Sequence, residues 1–326
     1  MMKRFSILML AMVPVALWAQ FAPAQDKPGT TAIHADSSAF VGWATGCTVE
    51  RGLQRIDKPE SGVASFGNET LALGVPGGTM DVVSLGDGGV ATLTFDSPIC
   101  NKPGPDFAVF ENGFANAQNP DTWALELGFV EVSSDGVNFF RFPAVTYVQN
   151  ENQLGNGGSI DPAQLHNFAS KYGAFFGTPF DLDEVEDNAL LNKNMITHVR
   201  IVDVVGCIDP EYATYDSEGH IVNDPWSTPF ASSGMDLDAV GVIHDLAHFD
   251  VPENGEKVVS LYPNPVKDRL FVKAEYLQSV KIYNAVGQLV MMTAEEAVDL
   301  SALTNGVYLV RVVCQDAMIT QRIVKQ

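Results

Sequence analysis

Short apolar runs alternating in period two recur along most of this chain, and each is closed within a few residues by glycine, proline, asparagine or aspartate. That punctuation commits the chain to strands and turns. Val90-Ala91-Thr92-Leu93-Thr94-Phe95 alternates cleanly behind the tight Gly86-Asp87-Gly88-Gly89 turn. Phe107-Ala108-Val109-Phe110 follows Pro103-Gly104-Pro105, and Leu125–Ser134 is a long run stopped by Asp135-Gly136. Phe139–Phe142, His198–Val205 and Leu237–Ile243 continue the pattern. Only Pro162–Tyr172 reads as helix, with Asp161 as N-cap and Pro162 in the first helical position. Strands at this spacing predict a jelly-roll-like β-sandwich over residues 20–247.

The last seventy residues form a second strand-rich unit. Tyr262-Pro263-Asn264-Pro265 excludes helix, because two prolines remove two amide donors and push their neighbours toward extended backbone. Asn284-Ala285-Val286-Gly287 reads as a turn between strands. Asn305-Gly306 before Val307-Tyr308-Leu309-Val310 is a hairpin signal. These features predict a small Ig-like sandwich of about seven strands over 257–326. Pro252, Glu253, Asn254 and Gly255 mark a linker at 248–256. At the other end, Met1-Met2-Lys3-Arg4 is a basic start, and Phe5–Trp18 is an apolar run broken by Pro14 and too short to span a bilayer. Leu17-Trp18-Ala19 before Gln20 is a cleavage site for a secretory leader over 1–19, and Ala22-Pro23-Ala24 is a second candidate. No other segment is apolar for long enough to form a transmembrane helix, and no cysteine follows the apolar run to carry a lipid.

Charge narrows the function classes. The chain has 19 Lys+Arg against 40 Asp+Glu. The leader takes two basic residues and the tail eight basic and six acidic, which leaves nine basic and 34 acidic residues between them, a net −25. Such a surface repels DNA, RNA and anionic lipid, so nucleic acid is excluded as a partner. It suits solubility outside the cell, and it suits bound cations.

The tail motifs, taken in order from Leu261-Tyr262-Pro263-Asn264-Pro265 through Val280–Val290 and Val298–Val312 to Ile323-Val324-Lys325-Gln326, resemble the type A C-terminal sorting domain of the type IX secretion system. The resemblance implies recognition by the type IX secretion machinery and a secreted or outer-membrane cell-surface location. A second resemblance rests on Glu131–Phe139, Asp106–Gly113 and Met235–Gly241, which are similar to motifs of discoidin-like and other galactose-binding-like jelly rolls. It implies a sandwich that binds rather than catalyses, often with a structural calcium. The chain departs from compact versions by a long insertion at about Tyr147–Asn194.

Several residue sets could carry chemistry. Asp236 and Asp238 stand two apart, so a strand would turn both to one face, and two charges there call for solvent or a cation. Asp106 and Glu111 bracket an apolar strand, and Asp181 with Asp183 repeats the spacing. One structural Ca²⁺, drawn from Asp106, Glu111, Asn112, Asp236 and Asp238, is the metal expectation, with turn capping as the alternative. Trp123 and Trp226 lie in Gly/Pro/Asn-rich segments and are the expected ligand-contacting rings. His244-Asp245-Leu246-Ala247-His248 superficially matches a zinc-protease helix, but Asp replaces the base and the segment runs into the linker. Cys47, Cys100 and Cys207 leave room for one disulfide, without a choice among them. The leading function is non-catalytic recognition of an extracellular glycan or protein. An extracellular polymer hydrolase, and a nutrient-capture accessory of an outer-membrane transporter, are the alternatives.

Overall fold

The computed structural model describes residues 21–248, 259–274, 276–284, 288–314 and 318–326. The expected leader over 1–19 and most of the expected linker at 248–256 lie outside these residues. Two compact units divide at His248/Phe249.

The first unit is built on two antiparallel sheets. One has the order β1 (Ile33–His34), β13 (Phe176–Phe180), β6 (Phe107–Glu111), β15 (Asp236–Val242) and β2 (Gly42–Trp43), with β4 (Val83–Ser84) also pairing β15. The other runs β10 (Phe140–Arg141), β9 (Gly128–Ser133), β14 (Ile196–Asp203), β5 (Val90–Ile99) and β3 (Gly46–Glu50). Leu93, Val130, Val132, Val199 and Ile201 from the second sheet pack with Phe107, Val109, Leu237, Val240 and Val242 from the first in one core. This is the sandwich the alternation predicts: each strand turns every second residue inward, and both sheets gain by burying that face. Two small hairpins complete the unit, β7 (Phe114–Ala115) with β8 (Trp123–Ala124) and β11 (Val145–Thr146) with β12 (Leu165–His166).

Three expectations change here. Pro162–Tyr172 is helical only over Pro162–Gln164, as a single 3-10 turn that Asp161 caps through the Ala163 amide at 2.9 Å. Leu165 and His166 then pair with Thr146 and Val145, so sheet pairing overrides the helical start. The segment at Tyr147–Asn194 is not external to the sandwich, because its strand β13 pairs with β6 in the first sheet. All four cysteines are free thiols.

The second unit contains β16 (Val259–Tyr262), β17 (Arg269–Ala274) and β20 (Ala297–Asp299) in one sheet. Its other sheet has the order β19 (Leu289–Thr293), β18 (Leu277–Tyr283), β21 (Gly306–Cys314) and β22 (Met318–Lys325). Its own core includes Leu270, Val280, Ile282, Val310, Val312 and Ile323. No helix among the described residues is long and apolar enough to cross a membrane.

Candidate functional site

Strands β6 and β15 lie side by side, with Glu111 opposite Leu237. The end of one and the start of the other therefore bring Glu111, Asn112 and Asp236 to the same end of the sheet. Glu126, from the segment joining β8 to β9, joins them in the lining of a cleft of about 230 Å³. Phe114 and Phe230 line the same cleft and are 63% and 49% exposed. Thr228 and the backbone of Gly157 and Gly158 also line it.

Local chemistry holds this arrangement. Ser84 donates its hydroxyl to Asp236 Oδ1, and Asn112 Nδ2 donates to Asp236 Oδ2 at 2.9 Å. The Gly113 amide donates to Glu111 Oε2 at 2.6 Å. A Cβ at Gly113 would lie 2.7 Å from that oxygen and 2.7 Å from Leu125 Cδ2, so this close approach requires glycine. Glu126 is half-buried; its carbonyl accepts from the Ser170 hydroxyl and its amide faces the Glu111 carboxyl, but its own carboxyl group makes no hydrogen bond among the described residues. Two deeper carboxylates set the backbone beside the cleft: Asp224 accepts from the Leu127 amide at 2.8 Å, and Asp203 from the Met235 amide at 2.7 Å. Each anchors the neighbour of a cleft residue, Glu126 in one case and Asp236 in the other.

The electrostatics follow from burial and crowding. Burial pushes Glu111 well above the usual carboxylate range, and the Asp236 charge adds to it. Burial likewise raises Glu126, assisted by Asp236 and Glu111. Asp236 is pushed up to about 6 by burial, against the Ser84 and Asn112 hydrogen bonds. Near neutral pH the cleft therefore offers both protonated carboxyl groups, which donate, and carboxylates, which accept. Two exposed rings stand beside them.

Of the five residues expected to hold calcium, Asp106 stands apart from the rest. Glu111, Asn112 and Asp236 meet in the cleft. Asp106 sits before β6, at the strand's other end, where it accepts from the Lys102 and Leu182 amides at 2.9 Å each and lies 2.9 Å from His244 Nδ1. Asp238 accepts from the Gly77 and Gly78 amides at 2.9 and 3.2 Å. Asp236 and Asp238 do not face solvent: they are 7% and 0% exposed, and a bulge interrupts the register between Leu237 and Ala239. Loop amides and polar side chains take the place expected for solvent or a cation. Among the described residues, no three His, Cys, Asp or Glu groups are placed to hold a metal. In this arrangement Asp106, at the other end of β6, is too remote to join Glu111, Asn112 and Asp236 in one oxygen cage.

The remaining candidates resolve individually. Asp181 caps a 3-10 turn at Leu182–Glu184 through the Asp183 amide, and Asp183 accepts from Asn101. The segment His244–His248 is not helical, and its imidazoles face Asp106 and Asp245. Trp123 is half-buried against the cluster that holds Leu125, Leu127 and Phe168, with its Nε1 buried and unpartnered. Trp226 donates its Nε1 to Asp87 at 3.0 Å and has the Arg55 guanidinium 5.7 Å from its ring centroid. Neither indole lines the cleft, although their neighbours Ala124 and Pro225 do. The rings that do line it, Phe114 and Phe230, were not singled out from the sequence. Each is an isolated aromatic in a stretch of Gly, Asn, Ser, Thr and Pro, and that isolation is the signal that marks them.

Comparisons with known proteins locate the chain partially. No curated protein matches it. A β-glucuronidase of Faecalibacterium prausnitzii is 11% identical, with a TM-score of 0.19, over 76% of this chain and 38% of that one. A β-glucuronidase of Ruminococcus gnavus is 12% identical, with a TM-score of 0.18, over 73% and 36%. The BSP domain of a biofilm-associated protein is 9% identical, with a TM-score of 0.18, over 89% and 52%. The chain thus spans about a third to a half of these proteins, and overlaps at such scores carry no argument. Residues 260–326, by contrast, match the secretion system C-terminal sorting domain, so the chain ends in a type IX sorting domain and is a secreted or outer-membrane cell-surface protein.

Proposed function

We propose that the exported domain binds an extracellular glycan in the cleft between Phe114 and Phe230, and that it acts by binding rather than turnover. The observation that supports this is Glu126, a carboxyl group without a hydrogen bond, lining one cleft with Glu111, Asp236 and two exposed rings. A sugar fits both parts. Its hydroxyls donate to carboxylates and accept from carboxyl groups, and its C–H faces pack on aromatic rings. The test is retention on a glycan array of the purified chain, beside a Phe114→Ala/Phe230→Ala double variant. Binding that the double variant loses by about tenfold or more is expected, since each ring is worth on the order of 1 kcal/mol. Full retention by the double variant, or no binding to any glycan, removes this reading.

A hydrolase is the second reading, favoured by one feature. The cleft carboxyls differ in proton affinity, with Glu111 pushed well above the usual range and Asp236 to about 6, and such a spread suits an acid and its partner base. Release of reducing sugar from a polysaccharide panel, abolished by Glu111→Gln, would establish it in place of simple binding. Calcium is tested separately: the chain is expected to melt at the same temperature with excess calcium as with chelator, and a rise of several degrees would restore the ion.

A further inference from the structure

Strand β21 is apolar on both sides. Tyr308, Val310, Val312 and Cys314 enter the core of the tail, whereas Val307 and Leu309 are 44% and 42% exposed. The register carries this outward face across the sheet. Tyr283 pairs with both Leu289 and Leu309, and Lys281 pairs with both Met292 and Arg311. Leu289 and Met292 are 51% and 60% exposed. On the other side, Arg322 pairs with Leu309 and Thr320 with Arg311. The Arg311 guanidinium lies 5.4 Å from the Tyr283 ring centroid. Among the described residues, the outward positions of these four strands include Lys281, Arg311 and Arg322 and no Asp or Glu.

Strands apolar on both faces belong to sheets covered on both sides, and a contiguous exposed apolar patch marks an interaction surface. We propose that this outward face of β19, β18, β21 and β22 is the surface by which the export machinery grips the tail, and that its partner presents an apolar groove edged with carboxylates. The three cations fix the sign of the partner. They also argue against a second copy, which would bring the same three cations to the same place. The opposite sheet has a smaller exposed pair, Tyr262 and Phe271, stacked on each other at 5.7 Å, and it serves as a control surface. The inference does not depend on what the cleft of the first unit binds.

The test is delivery of the full chain in its native host, comparing the surface or medium fraction with material held in the periplasm. Met292→Glu, Leu309→Glu and Arg311→Glu are each expected to lower the surface fraction by about tenfold or more, with precursor accumulating inside. Phe271→Ser and Arg311→Lys are expected to deliver normally. Unchanged thermal melting of the purified variants separates lost recognition from misfolding, and the exposed position of Met292 keeps at least that variant folded. Folded Met292→Glu and Leu309→Glu reaching the surface at the unmodified level would overturn the proposal. So would a dimer in sedimentation that Met292→Glu dissociates while delivery stays normal, or a cross-link from position 309 to the chain's own acidic domain.

Discussion

Glu126 and Asp236 bind protons more tightly in the folded protein than in the unfolded chain. Their stabilising contribution is therefore complete below about pH 4 and is lost as pH rises through the folded values, about 6 for Asp236. For Asp236 that loss approaches about 3 kcal/mol across the window. The Glu126 carboxyl has no hydrogen bond to forfeit, so Glu126→Gln is expected to stabilise the protein by about 1–2 kcal/mol at pH 7.5 and to change nothing measurable at pH 4. Urea denaturation at the two pH values checks this, and equal effects at both would contradict it. Lys171 shows the opposite sign. It is 4% exposed, donates its amine to the carbonyls of Pro162 (2.6 Å) and Leu165, and is lowered by burial to about 7. Its contribution is complete above about pH 10.5 and is lost as pH falls through about 7. Relative to Lys171→Met, the unmodified protein is expected to lose up to about 4 kcal/mol between pH 10 and pH 6, as measured by paired denaturation curves.

Among the elements, the segment that follows the expected leader discriminates between the two candidate cleavage sites. Phe21 stacks on Tyr147 at 5.5 Å and on His166 at 5.0 Å, and its amide donates to the Ala163 carbonyl. Ala24 is 3% exposed and accepts from the Lys27 amide at 3.0 Å. Cleavage after Ala24 would strip these contacts from the β11–β12 hairpin. Cleavage after Ala19 would leave them intact. Mass spectrometry of the exported protein is thus expected to find a chain beginning at residue 20, and a start at residue 25 would refute this. The same hairpin shows where local reading fails. Asp161-Pro162 is a genuine helix start and does form a 3-10 turn, but Leu165 and His166 are drawn into pairing with Thr146 and Val145, a partner far along the chain. The strands that were legible, β5, β6, β9, β14 and β15, are those whose alternation or continuous apolar run reflects burial between two sheets.

For the whole molecule, the sorting domain and the cleft proposed to bind glycan lie in different units, each with its own core. Removal of residues 257–326 is expected to leave the first unit folded and to abolish its appearance at the cell surface. Cell fractionation and melting of the truncated protein measure the two effects separately. The tail could be read from sequence because its information is local: prolines, Asn-Gly turns and short strands in a fixed order. The all-β class and the acidity of the exported unit were legible for the same reason, since alternation and charge are properties of neighbouring residues. The cleft was not. Glu111 and Asp236 were visible as strand-end acids, but only strand pairing separates them from Asp106 and brings Glu126 beside them. Trp123 and Trp226 stood out by size and loop context. Contacts with residues distant in the chain set Trp123 against an apolar cluster and tied Trp226 to Asp87 and Arg55, while Phe114 and Phe230 line the cleft. Sequence by itself determined where this protein goes and what class of fold it adopts, because both are encoded in local pattern. Tertiary structure alone decided which carboxylates meet, because burial and convergence arise only when distant strands pair.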